Sequence, residues 1–186
     1  RFNETFNRSE ITNLLPSGSE LFSLLNSEKA NSNNSYIGTI SSKEARKVRS
    51  YLSTLEQNQG YLFVWQENSE KSELSLFALN CKNGNIAGNE GIKEISVQQT
   101  ETDGSVEIKI QFNQEASRSW AEATQRSTGK ALAIVLVNNV LAVPIVQSVI
   151  QGGICVISGN FTLEEARHIV ALARNGILSA NFKIVK

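Results

Sequence analysis

The chain has 186 residues, 40% hydrophobic and 19% charged, a composition that suits one compact domain, with or without a small appendage, and excludes a disordered chain. Lys+Arg and Asp+Glu both number 18, for a formal net charge of zero. Nucleic-acid binding is disfavoured, because phosphate neutralisation calls for a basic excess or stripe that is absent here.

No apolar run reaches the ~18 residues that a spanning helix requires, the longest being 131–137. Met is absent even at position 1, and no basic region, apolar core or lipid-attachment cysteine follows Arg1. The chain therefore reads as a processed or excised piece, its leader or membrane anchor removed.

The first forty residues are polar and read as an irregular segment with one helical stretch. Ser17 and Glu20 have capping-box spacing, and Leu21, Leu24 and Leu25 make a short apolar stripe behind them. Residues 26–35, rich in Asn and Ser, read as a loop. A second helix is expected from Ser41, with Glu44 completing a capping box and Ala45, Val48, Leu52 and Leu55 on one face. Lys43, Arg46, Lys47 and Arg49 fall mostly off that face, the pattern of a solvated helix surface.

Strands follow at 61–66 and 73–79, joined by a polar connector. The glycine-rich run around Gly84, Gly88 and Gly91 leads into another strand, 92–99, rather than into the helix start that a phosphate loop needs. Thr102-Asp103-Gly104 turns that strand into a second, where Val106, Ile108, Ile110 and Phe112 alternate with polar residues. Asn113 caps a helix burying Ala116, Trp120 and Ala123, which Gly129 ends. The apolar run 131–137 reads as a strand covered on both faces. After a turn at Asn138-Asn139 the chain returns along 140–146, where Pro144 marks an edge or bulge. Gly152-Gly153 leads to a strand at 154–158.

The last helix has Thr162 as N-cap and Glu165 as its capping-box partner. Ala166, Ile169, Val170 and Ala173 make its buried stripe, and Gly176 its C-cap. A terminal strand, 182–185, is expected to close the sheet. The order from residue 92 is β-β-α-β-β-β-α-β. The fold class is α+β, a mainly antiparallel sheet with helices packed on one face. The chain divides into an N-terminal segment, 1–40, and an α+β domain, 41–186, or forms one domain throughout.

The run GKALAIVLVNNVLAVPIVQSVIQGGICVISGNFTLEEARHIVALARNG, from Gly129 to Gly176, resembles the head region of the SecD/SecDF protein-export family. Gly129, Pro144, Gly152, Gly153, Gly159, Asn160, Phe161, Thr162, Glu165 and Gly176 carry the pattern as fold determinants. Upstream, IQFNQEASRSW, YIGTISSKEARKVRSYLS, FVWQ and ELSLFALN are similar to the longer SecDF version of Bacteroides-like bacteria, back to about Leu21. Two departures stand out. Val137 occupies the place of a common family Asp, which weakens any role for a carboxylate at that turn. Leu178-Ser179 replaces a Leu-Pro or Met-Pro pair, where the family chain returns to its base and membrane portion.

The resemblance implies a SecDF P1 head-like fold on the extracytoplasmic side, in a parent protein anchored to the inner membrane. Its partners would be a translocating, unfolded preprotein and components of the Sec translocon. A stand-alone periplasmic or lipid-anchored interaction module that kept the fold is the alternative.

No catalytic, cofactor-binding or metal-binding residue is assigned. The single histidine, His168, falls inside the last helix, where Glu164 at i−4 makes a surface pair the simple reading. Cys81 and Cys155 have no metal-ligand spacing and read as two buried thiols, or as a disulfide in an oxidising compartment. Glu164-Glu165 is explained by the helix start. A hydrolase would be marked by a deep pocket with convergent polar groups. A polypeptide-contacting domain would expose an apolar groove or a sheet edge.

Overall fold

The computed structural model describes residues 1–28, 35–55, 60–68, 72–136, 139–159 and 161–181. In chain order the elements are β1 (Phe2–Phe6), α1 (Arg8–Leu14), β2 (Tyr36–Ser41), α2 (Ala45–Leu55), β3 (Tyr61–Asn68), β4 (Glu73–Asn80), β5 (Ile92–Gln99), β6 (Val106–Phe112), α3 (Gln114–Arg126), β7 (Leu132–Leu136), β8 (Asn139–Ala142), β9 (Ile154–Ser158) and α4 (Leu163–Asn181). The fold is α+β. Two compact units share the chain, and they do not divide at residue 41. One comprises Phe2–Asn85 and Gly129–Val146; the other comprises Arg1, Ile86–Thr128 and the residues from Gln147 onward.

The first unit is a six-stranded sheet, β1-β7-β8-β3-β4-β2, in which β1 also pairs with β4. β1, β7, β8, β3 and β4 therefore close into a ring, with β2 continuing along the edge of β4 beyond β1. Phe2, Asn3 and Glu4 register with Ile134, Ala133 and Leu132, while Thr5 and Phe6 register with Leu79 and Ala78. Ring closure removes the edges that an open sheet would leave.

Alternate residues of β3 and β4 serve two cores. Val64, Phe77 and Leu79 cluster with Ala133, Val135 and Val140. On the other face Phe63, Trp65, Leu74, Leu76 and Ala78 pack against Ile11 of α1 and Ala45, Val48, Leu52 and Leu55 of α2. The face expected of α2 is the one it buries, although the helix starts at Ala45 because Ser41 is still in β2. Leu76 and Leu79 are wholly buried, each contributing roughly 1.5–3 kcal/mol in area removed from water.

The first forty residues are more regular than their polarity indicates. Asn7 and Glu10 form a reciprocal capping box at the start of α1. The stripe behind Ser17 is only a 3₁₀ turn, Leu21–Ser23, without a side-chain cap. Gly18 turns the chain there at φ +82°, and Ser19 bonds the Tyr51 hydroxyl at 2.9 Å. The tertiary partner has displaced the local capping choice.

The second unit is a three-stranded antiparallel sheet, β5-β6-β9, with α3 and α4 packed on it. Ile95, Ile108, Ile110, Phe112 and Ile157 are buried from the sheet, and Ala116, Trp120, Ala123, Ala166, Val170 and Ala173 from the helices. Phe112 and Trp120 meet with ring centroids 5.3 Å apart. Asn113 caps α3 through Ala116 N–H at 2.9 Å. In the β5–β6 turn, the Thr100 hydroxyl, followed by Ser105, pulls the Asp103 carboxyl down to about 2.

The single sheet expected from residue 92 onward is instead divided, because β7 and β8 join the ring. Leu132, Ala133, Ile134 and Val135 are all buried, so β7 needs cover on both faces, and a three-stranded sheet with helices on one side does not supply it.

α4 begins as expected. Glu165 N–H bonds Thr162 Oγ1 at 3.2 Å, and Glu165 Oε2 accepts from Thr162 N–H at 2.8 Å. It does not end at Gly176 but runs to Asn181. Glycine inside a helix costs only ~1 kcal/mol, and no proline follows to stop it. The strand expected at 182–185 lies outside the described residues, as do Val137, Asn138 and Asn160. Cys81 and Cys155 form no disulfide, and Cys81 is exposed rather than buried.

Burial pushes the Cys155 thiol up to about 12, so a thiol reagent at neutral pH should label Cys81 in the native chain and Cys155 only in denaturant; equal native labelling would contradict this packing. Gly153 sits at φ +64°, with Ser117 Oγ 2.0 Å from where a Cβ would be, whereas Gly84 at φ +71° has open space around it. Both replacements by alanine incur strain, and Gly153→Ala should lower the urea midpoint by the larger amount. The Glu165 carboxyl is held below its ordinary value by the Thr162 N–H and then the Thr162 hydroxyl. A depressed carboxyl pKa stabilises above the unfolded value and stops doing so as pH falls through the folded one. The destabilisation of Thr162→Ala, read from urea unfolding, should therefore be full at pH 7 and shrink as pH falls below about 4.

Candidate functional site

Within the ring unit, β3 and β8 meet in parallel at one pair, Trp65 and Asn139. Beyond it the Gln66 side chain reaches the Leu141 carbonyl at 3.4 Å. β8 ends at Ala142, and Val143-Pro144 separates it from a bridge between Ala131 and Ile145. Pro144 therefore stands at a break in the ladder, as its missing N–H requires; its carbonyl still accepts from Leu132 N–H at 3.0 Å.

This irregular end of the β7–β8 hairpin borders a groove of about 400 Å³, lined among others by Tyr36, Phe77, Val143, Ile145, Thr5 and Lys130. Tyr36 and Phe77 pack edge to face at 6.1 Å between centroids. Ile145 is 59% exposed, the most exposed of the large apolar side chains described. The polar rim is mostly engaged: Thr5 Oγ1 lies 2.7 Å from Ser35 Oγ and donates to the Ala131 carbonyl at 2.8 Å. Lys130 and Glu10 pair at 3.7 Å with both side chains well exposed, an ion pair of little stabilising value. Glu10, the carboxylate in the lining, already serves as the capping partner of Asn7.

The groove thus offers apolar contact with a few hydrogen-bonding groups at its rim. Among the described residues no group of three or more His, Cys, Asp or Glu is placed to hold a metal ion. His168 is exposed on α4 in the other unit, in a shallow depression with Phe161, Glu165 and Ile169.

The residues that carry the sequence pattern are not gathered into one site. Gly129 lines the groove, and its N–H bonds the Val146 carbonyl at 2.8 Å. Pro144 adjoins the groove. Gly152, Gly153, Gly159, Phe161, Thr162, Glu165 and Gly176 belong to the three-stranded unit. Gly153 turns the chain into β9, and its carbonyl accepts from Phe112 N–H at 2.8 Å. A Cβ at Gly159 would stand 3.0 Å from the Phe161 ring, so the ring packs where a side chain would be. Gly152 has nothing within 4 Å of a Cβ, and nothing in the structure explains it. Tyr36, Phe77, Val143 and Ile145 were not singled out from the sequence as site residues, since the last three read there simply as apolar strand positions and Tyr36 falls in the segment read as irregular. An apolar residue just past a proline was the available signal.

No helix of the described residues is long and apolar enough to cross a membrane. A family model described as SecDF, P1 head subdomain, matches residues 67–180. The protein translocase subunit SecD of Rickettsia felis is 42% identical over 79 residues, covering 42% of this chain and 15% of that protein. SecD of Sebaldella termitidis is 38% identical over 95 residues, covering 51% of this chain and 23% of its own length. The chain therefore spans a small part of these relatives. A solved structure of a membrane component SecDF that enhances protein export is 19% identical, with a TM-score of 0.49, covering 87% of this chain and 66% of that one. With more than half of its length matched by the family model, the chain belongs to the SecDF P1 head subdomain family.

Proposed function

We propose that this domain is a non-catalytic, extracytoplasmic part of a SecD/SecDF-like accessory subunit and contacts unfolded polypeptide during protein export. The observation that carries the reading is the ring-unit groove, with Tyr36, Phe77 and Val143 in its lining and Ile145 59% exposed at its border. Such a surface suits apolar side chains that a folded protein would have buried. Membership of the head family supports the placement, and translocon components would be the other partners.

One observation favours a second reading, an interaction module working apart from a translocase body. α4 runs on through Leu178 and Ser179 to Asn181, where the family pattern turns the chain with a proline. Intact mass and membrane fractionation of the full gene product separate the two, since adjoining membrane helices belong only to the first.

Contact with unfolded chains is measurable by anisotropy of a fluorescent, permanently unfolded carboxymethylated protein. The wild-type domain should bind it and ignore the native form of the same protein. Ile145→Asp puts a charge on an already exposed position and should weaken binding about tenfold with an unchanged melting midpoint. Equal affinity for native and unfolded probe, or no binding of either, would overturn the reading.

A further inference from the structure

We infer that the outer edge of β9 is a strand-addition site for an extended segment of another polypeptide with apolar residues at alternate positions. The inference rests on the polypeptide-contacting reading above but uses a different surface.

The orientation of β9 follows from its ladder with β6. Lys109 registers with Val156 and Ile110 with Cys155, and Phe112 N–H bonds the Gly153 carbonyl at 2.8 Å. Hydrogen-bonded and non-hydrogen-bonded pairs alternate in an antiparallel ladder. Phe112–Gly153 is hydrogen-bonded, so Ile110–Cys155 and Ile108–Ile157 are too. The N–H and C=O groups of Ile154, Val156 and Ser158 therefore point away from β6. The same alternation puts the Ile95 carbonyl on the outer edge of β5, and the Arg174 guanidinium donates to that carbonyl at 2.8 Å.

Among the described residues the outer edge of β2 is guarded similarly. Asn26 exchanges two backbone hydrogen bonds of 2.8 Å with Thr39 on β2, and Arg8 Nη1 donates to the Ile37 carbonyl at 2.8 Å. Among the described residues β9 pairs with β6 alone. It also lacks the usual protections, for ICVIS has no charge and no proline, and its ladder no bulge. Its outward-facing side chains are Ile154 at 40% and Val156 at 44% exposure. An extended backbone is the partner that satisfies such a row of donors and acceptors, and side chains at every second position of it would lie beside Ile154 and Val156.

Length selects among extended partners. Five residues span only ~17 Å, so two copies paired through β9 would bury far less than the ~1,000 Å² of a specific dimer. A short edge suits instead a weak, reversible grip on a chain that must be released.

The test is an NMR titration of the full chain with a short peptide alternating valine and threonine, and with a twin N-methylated at alternate residues. The plain peptide should shift the amides of Ile154, Val156 and Ser158, and the twin should bind about tenfold more weakly or worse, because it keeps the side chains and loses backbone donors. Val156→Pro removes one outward N–H while leaving the β6 ladder intact, and should weaken the plain peptide to a similar degree. Should that variant melt earlier, the comparison of the two peptides on the wild-type chain decides. Equal binding of both peptides, shifts confined elsewhere, edge amides already protected from exchange in the peptide-free chain, or a dimer in sedimentation without peptide would each overturn the inference. If those amides stay silent while the unfolded protein still binds, the edge inference fails and the proposed function stands. If the edge responds but the unfolded protein does not bind, the reverse holds.

Discussion

β1 pairs on one side with β7 and, through its last two residues, with β4. Those two sets of bonds turn a ribbon of strands into a ring, bringing residues 2–4 against 132–134 and residues 5–6 against 78–79. Everything else in that unit follows from the closure. β3 and β4 become buried on both faces, which is why their residues alternate between two apolar clusters rather than between core and solvent. Only the outer face is left for α1 and α2 to cover. The cost is a long loop closure, since residues 86–128, with β5, β6 and α3, are inserted between the parts of the chain that the ring joins.

The same closure accounts for the groove. The ring is least regular where β3 touches β8 at a single pair, Trp65 with Asn139. Pro144 interrupts the β7–β8 ladder by one N–H, and the pairing resumes at the Ala131–Ile145 bridge. The apolar residues that would have been covered by a complete sheet, Ile145 foremost, are left at the surface. The groove's lining is mainly apolar, with a few hydrogen-bonding groups at the rim. The other unit handles its boundary differently: β5 is closed off by Arg174, and among the described residues β9 pairs with β6 alone. Both exposed features are places where regular structure stops short, and both are compatible with a partner that has no fixed shape.

Much of the local structure was legible along the chain. The period-2 run from Val106 to Phe112 is a strand with the expected buried face, and the stripe Ala45, Val48, Leu52 and Leu55 is the buried face of α2. Thr162 and Glu165 make the capping box their spacing announces. The misses share a cause. Ser17 and Glu20 have the same spacing, but the turn at Gly18 and the Tyr51 hydroxyl take the backbone elsewhere. Gly176 looks like a stop, yet with no proline after it the helix continues. β7 and β8 look like members of the neighbouring sheet because adjacency in sequence is the best local guess, and only the need for cover on both faces sends them away.

The sequence by itself determined most of the elements beyond residue 41, their buried faces and the family signature of the second half, because capping, periodicity and turn chemistry act between residues a few positions apart; β1, α1 and β2 were not read from it. Tertiary structure alone decided which strands share a sheet, that Phe2–Phe6 closes a ring, where the ladder is interrupted beside Ile145, and which edge has no strand beside it among the described residues. Those outcomes depend on pairings between residues far apart in the chain, such as Phe2 with Ile134 and Trp65 with Asn139. The residues involved are ordinary apolar and polar ones, whose roles are set by what they meet rather than by what they are.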